Sequence, residues 1–177
     1  IRNGYLPLVA PDLESHRLGR AAMLISIAPA KPFSDADRQA IRQFVEEGGI
    51  FISMAGAEDA GASRRLLRDF GFEMPPPTLL PPADSAEPRH ERHFRSRYLS
   101  GEATGGHDCY VWLHAAWPIQ FLVPDIIPVV ADFENRPLVA VRRIGKGKVV
   151  VIGDTGFAMN KNLEYVGGEP FGGGYEN

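Results

Sequence analysis

With 177 residues, 44% of them hydrophobic and 23% charged, and a net charge of −3, the chain can bury one sizeable core and is too apolar and too evenly charged to be a disordered tail. No basic excess suggests a nucleic-acid surface. The single cysteine, Cys109, excludes an internal disulfide, and no apolar run is long enough to span a bilayer.

Residues 21–28 form a short, nearly continuous apolar run, the pattern of a strand covered on both faces. Pro29 and Pro32 end it. Ser34 is a good helix N-cap, with Asp37 three residues on completing a capping box. Ala36, Ala40, Ile41, Phe44 and Val45 then recur at helical spacing, and Gly48 suits the left-handed position after the helix. Residues 50–54 predict a second buried strand. Strand, helix and strand in this order predict a right-handed βαβ unit with a parallel pair.

A loop of small residues, 55–61, follows. Ser63 can cap another helix carrying Leu66, Leu67 and Phe70, with Gly71 as its stop. Six prolines between 75 and 88 predict an extended excursion, and 72–108 as a whole reads as an irregular insertion. Within it, Arg89, Arg92, Arg95 and Arg97 form a basic cluster, read as a solvated face or as a site for an anionic partner. A strand is expected from Cys109 towards Pro118. Three more are expected at about 126–133, 137–144 and 148–153, with tight turns at 134–136 and 145–147. The run 148–152 is apolar on both faces and predicts a central strand. The five glycines in 167–177 predict loop. The chain opens at Ile1 in mid-pattern and stops at Asn177 without a clear terminal element, as a piece of a longer protein would.

Several of these segments together resemble the class I glutamine amidotransferase-like superfamily, in its non-catalytic bacterial branches and in the related domain of intraflagellar-transport and gliding-motility proteins. They are Met23-Leu-Ile-Ser-Ile-Ala-Pro29, Phe33-Ser34 opening a helix, and Phe44-Val45-Glu46-Glu47-Gly48-Gly49-Ile50-Phe51-Ile52. Further on come Ile144-Gly145-Lys146-Gly147-Lys148-Val149-Val150-Val151-Ile152-Gly153-Asp154 and then Asn160. The resemblance covers roughly 20–70 and 126–165. It implies an α/β fold of flavodoxin-like kind: a three-layer sandwich with a largely parallel central sheet, here with an antiparallel C-terminal extension, spanning 1–177 as a single domain.

Catalytic members of that superfamily hold a cysteine in a strained strand-to-helix turn resembling Gly-x-Cys-x-Gly. Counting back two from Gly56 puts Met54 at the nucleophile position and Ile52 where the first glycine belongs. A thioether cannot attack as a thiolate does, and Ser53 is one residue out of phase. The amidotransferase mechanism is therefore not expected. Cys109, although flanked by His107 and Asp108, reads as a small buried hydrophobe.

Other constellations carry two readings each. His90 and His93, with His107 and His114, could ligate a metal, but the arginines around the first two oppose a dication. Lys146 and Lys148 flank glycines without the following helix of a phosphate loop, so a hairpin turn is the better reading. Trp112 and Trp117 could stack on a sugar or lie in the core. Topology supplies the remaining site, because ligands of open α/β sheets bind beyond the carboxyl ends of the strands. The candidates there are Ser53, Glu58, Asp59, Asp154, Thr155 and Asn160, any of which could equally cap helices or shape turns.

The expected function is a non-catalytic domain that binds a small molecule or a protein partner, with no cofactor, no resident metal and no nucleic acid. It would belong to a larger bacterial protein in which flanking membrane segments are one setting. Localisation stays open between the cytoplasmic and extracytoplasmic sides. The alternatives are a hydrolase using Glu58, Asp59 and Asp154, with or without a metal, and a carbohydrate-binding module.

Overall fold

The computed structural model describes residues 8–10, 12–57, 59–75, 94–98, 110–113, 116–132, 134–156, 165–166 and 169–170. Its first half contains α1 (Ser15–Leu18), β1 (Met23–Ile27), α2 (Asp35–Glu46), β2 (Ile50–Met54), α3 (Ala60–Asp69) and β3 (Phe72–Glu73). Strands dominate the rest: β4 (Phe94–Tyr98), β5 (Tyr110–Leu113), β6 (Gln120–Phe121), β7 (Ile126–Ala131), β8 (Pro137–Ile144), β9 (Gly147–Ile152), β10 (Tyr165–Val166) and β11 (Glu169–Pro170). The chain is an α/β fold around a seven-stranded sheet of order β1-β2-β9-β8-β7-β4-β5.

The local signals around α2 work as anticipated. The Ser34 hydroxyl accepts from the Asp37 N–H at 3.1 Å, and the Asp37 carboxylate accepts from the Ser34 N–H at 3.0 Å, so two otherwise orphaned donors are satisfied. Ile41, Phe44 and Val45 turn inward, and Gly48 adopts a positive φ of 125° just past the helix. β1 and β2 pair in parallel, with Met23 opposite Ile50 and Ile27 opposite Met54. β9 joins β2 in parallel on its other side and so is central, as its doubly apolar sequence requires.

The β8–β9 hairpin is docked onto the end of α2. The Lys146 N–H donates to the Glu46 carbonyl at 3.0 Å, which satisfies a carbonyl the helix leaves open, and the Lys148 N–H donates to the Gly49 carbonyl at 3.2 Å, just before β2. Gly147 makes that approach possible, since a Cβ there would lie 2.2 Å from the carbonyl oxygens of Gly49 and Val45.

The main core lies between one face of the sheet and the helices. Phe51, Val149, Val151, Ala140 and Ile126 from the strands meet Ile41, Phe44, Val45, Leu66, Leu67 and Phe70, and Leu18 of α1 joins the same cluster. Arg38 ties α2 to α3 through Asp69, and its hydrogen bond and charge hold the Asp35 carboxyl below the ordinary carboxylate range. Among the described residues, all three helices contribute to this one cluster.

Several expectations need correction. The sheet is mixed and not largely parallel: only the β1–β2 and β2–β9 pairings are parallel, and the β9–β8, β8–β7, β7–β4 and β4–β5 pairings are antiparallel. β1 is an edge strand, not one covered on both faces. The stretch 72–108 is not wholly irregular, because β3 lies in it and β4 is an internal strand of the main sheet. Ser63 caps nothing. α3 starts earlier, at Ala60, which leaves Ser63 buried inside the helix. The strand begun near Cys109 ends at Leu113, well before Pro118. Part of 167–177 forms β11, paired with β10. The proline-rich stretch from 76 to 93, with Arg89 and Arg92, lies outside the described residues, as do His90, His93, His107, Cys109 and His114.

Candidate functional site

Two surfaces merit description, the carboxyl edge of the parallel strands and the sheet face opposite the helices. At the carboxyl edge, β2 ends on Met54 and its loop crosses to β9, where the Ala55 N–H donates to the Ile152 carbonyl at 3.1 Å. A Cβ on Gly56 would lie 3.6 Å from Thr155 Oγ1 and 3.8 Å from Asp59 Oδ2, so Gly56, Asp59 and Thr155 converge. Asp154 is fully buried, and its Oδ1 accepts from the Gly156 N–H at 2.7 Å, the turn chemistry that Asp-Thr-Gly favours. Asp59 is the N-cap residue of α3 but makes no side-chain capping bond. Ser53 is 1% exposed, on the helix-covered face beside Val151, and its hydroxyl has no hydrogen-bond partner.

Met54, which the sequence resemblance put at the nucleophile position, is the last residue of β2 and is itself buried. Among the described residues no group of three or more His, Cys, Asp or Glu side chains is placed to hold a metal ion. Glu58 and Asn160 lie outside the described residues. One feature of this edge had no signal in the sequence. Ala28, directly after β1, has φ 41°, a left-handed conformation that costs an L-residue about 1–2 kcal/mol, while its N–H donates to the Met54 carbonyl at 3.0 Å.

The second surface is the other face of the sheet. The register places Ile25, Ile52, Val150, Val141 and Ile127 side by side across β1, β2, β9, β8 and β7. None of these side chains belongs to either buried cluster. At the two sides of the row Ile25 is 49% and Ile127 52% exposed, and Met23 and Ile27 on β1 are also exposed. The row is about 19 Å wide, at roughly 4.8 Å per strand. A continuous apolar strip of this kind is uncommon on a surface that has no partner.

The chain shares its fold with solved structures. The mmIFT52 N-terminal domain superposes with a TM-score of 0.74 at 16% identity, over 92% of this chain and 79% of that domain. Two cytoplasmic proteins of Salmonella typhimurium are similar at lower scores. STM3548 has a TM-score of 0.54 at 14% identity, over 81% of this chain and 64% of its own. STM1381, from strain LT2, has 0.55 at 12%, over 80% and 63%. The chain thus spans slightly less than two thirds of each Salmonella protein. At these identities the likeness shows a shared fold, and the amidotransferase part of the sequence resemblance finds no match among these structures. No family model matches the chain, and no curated protein sequence matches it.

Lys146 and Lys148 belong to the hairpin turn and the strand after it, with no helix to make a phosphate loop. Trp117 is partly buried against the main core and donates its indole N–H to the Pro75 carbonyl at 2.7 Å, which is not an exposed stacking platform. No helix among the described residues is long and apolar enough to cross a membrane.

Proposed function

We propose that this chain is a non-catalytic partner-binding domain of a larger protein, and that the sheet face opposite the helices is its binding surface. The observation that carries this reading is the apolar row Ile25, Ile52, Val150, Val141 and Ile127, exposed at both sides. A catalytic site needs convergent polar groups in a concavity, whereas an interaction domain can present a flat apolar patch. The likeness to an intraflagellar-transport domain fits such a role. So does the superfamily resemblance seen in the sequence, with Met54 in place of a nucleophile. On this reading 1–177 is one domain, and its flavodoxin-like three-layer form is reached when the open face is covered.

Cross-linking tests the proposal. A photoreactive amino acid replaces Ile127 on the open face or Gln43 on the outer side of α2, in the full protein within its own cell. The expected result is a discrete protein adduct from position 127 and none from 43. Equal adducts at both positions, or none at 127, would sink the reading. Ammonia release from glutamine that disappears in Ser53→Ala would overturn its non-catalytic part.

A second reading has some support of its own. The unpartnered Ser53 hydroxyl and the strained Ala28 backbone lie at the carboxyl edge where Asp59 and Thr155 converge, and a small polar ligand there would draw on those groups with Asp154, Glu58 and Asn160. The hydrolase and carbohydrate readings have no comparable support.

A further inference from the structure

The open face is not uniformly apolar. Lys148 and Arg143 sit directly opposite each other on β9 and β8, in the layer that also contains Met23 and Ile50. Like charges directly opposed across a strand pair repel. Neither side chain has an ion-pair partner among the described residues, while Arg38, Arg42, Arg136 and Arg142 all do. The register positions sharing this face on β1, β2, β9 and β8 include no Asp or Glu. Among the described residues the surface is therefore an apolar strip with two cations and no facing acid at one end, beside the amino ends of the parallel strands.

We infer that the occupant of this face is an amphipathic helix of a partner protein, its apolar stripe on Ile52 and Val150 between Ile25 and Val141, and its acidic last turn over Lys148 and Arg143. The inference rests on the partner-binding reading and deepens it. Parallel strands are normally covered on both faces, and helices are what cover them. A helix is about 10 Å wide, which matches the two central strands with flanks on their neighbours. Running antiparallel to β2 and β9, it would bring both its acidic side chains and the negative end of its dipole to the two cations.

Two other occupants fit less well. A second copy of this chain would bring its own Lys148 and Arg143 and no acid on the matching face. A single extended strand could add to the open edge of β1, where alternation directs the N–H and C=O groups of Met23, Ile25 and Ile27 away from β2, but it would leave Val150, Val141 and Ile127 bare.

The test uses the whole 177-residue chain, isotopically labelled, and two synthetic helical peptides. Both carry the same Leu and Ala stripe; one has two Glu in its last turn and the other two Lys. The acidic peptide is expected to shift the amide resonances of β1, β2, β9 and β8 and to bind about five- to tenfold more tightly at low salt. The double substitution Arg143→Glu with Lys148→Glu should reverse that preference, and Ile25→Asp should weaken both peptides. Equal binding of the two peptides on this face would overturn the charged-helix inference and leave the partner-binding reading intact. Failure of the acidic peptide to shift these strands would also overturn it, and the cross-linking at Ile127 then decides the broader reading independently. A concentration-dependent dimer abolished by Ile127→Asp would identify a second copy as the occupant and overturn the helix.

Discussion

Phe51 and Ile52 are neighbours on β2, and they face two different environments. Phe51 is fully buried under the helices, its ring 6.0 Å from that of Phe70. Ile52 points to the other side, into an apolar row that neither buried cluster includes. The contrast extends to charge. On the helix side Arg38 joins Asp35 and Asp69, Arg42 joins Glu46, and Arg142 pairs with Asp125 while donating to the Phe70 carbonyl. On the other side Lys148 and Arg143 stand unpaired among the described residues. Sequences put apolar side chains on both faces of a strand when both faces will be covered. Among the described residues, the helices cover one face of this sheet and reach none of the row from Ile25 to Ile127 on the other, whose apolar composition suits a covered surface.

Truncating one residue on each face should separate the two environments most strongly. Phe51→Ala removes a fully buried aromatic from the core and should cost about 3–5 kcal/mol. Ile25→Thr on the open face keeps a β-branched side chain where half of it already meets solvent, and should cost under about 1 kcal/mol. Urea titrations of the isolated chain compare them directly. Similar losses would mean that the open face is packed in the free protein, which would remove the ground for treating it as a binding surface.

Gly147→Ala probes how firmly the helix layer is joined to the sheet. The new Cβ would fall 2.2 Å from two backbone carbonyl oxygens, neither of which can rotate away. The hairpin would have to lift from the end of α2, stretching the Lys146 and Lys148 hydrogen bonds, at a cost of about 2–3 kcal/mol. Accelerated exchange of the Lys146 and Lys148 amides would accompany the loss. Unchanged stability and exchange would show that this docking is not tight.

A smaller effect of opposite sign is expected at Ser53. Its hydroxyl is buried without a partner, so Ser53→Ala removes a desolvated polar group and should raise stability by about 1 kcal/mol. A loss of stability would instead mean that the hydroxyl is satisfied, by a water or a ligand, and would strengthen the carboxyl-edge reading.

What the sequence made legible was local. The capping box at Ser34 and Asp37, the inward stripe of α2, the doubly apolar β9 and the Asp-Thr-Gly turn are each encoded within a few residues, and each stands where the chain pattern put it. What it hid depends on partners distant in sequence. The Met-Leu-Ile-Ser-Ile run of β1 looks the same whether a neighbour exists or not, so its place at the sheet edge could not be read from it. β4 did carry a signal, the alternation of Phe94, Ser96 and Tyr98 with Arg95 and Arg97, but the arginines drew the reading towards a solvated cluster. Ser63 has the chemistry of a cap, yet α3 gains a turn upstream of it and buries it. At the carboxyl edge, the approach of Gly56 to Asp59 and Thr155 follows from adjacent strands, while Ala28 in the left-handed region violates local preference and had no precursor in the sequence.

The smallest expected effect concerns the cation pair, and its sign separates folding from binding. Lys148→Glu replaces a like-charged cross-strand pair with an opposite-charged one facing Arg143. Such a pair is worth roughly 0.2–1 kcal/mol, so the free domain should become slightly more stable. The backbone N–H of residue 148 still donates to the Gly49 carbonyl, so the hairpin's docking is retained. If Lys148 and Arg143 served only the fold, this substitution would be a simple improvement. If they serve a partner, the same change should raise the unfolding midpoint by a degree or two, about what a few tenths of a kcal/mol produces in a domain of this size, and reduce cross-linking from position 127. A lowered midpoint would show that Lys148 already has a stabilising partner within the chain, and the charge argument for an acidic helix would fail with it. A raised midpoint with undiminished cross-linking would keep the face as an interface while removing its cations from recognition.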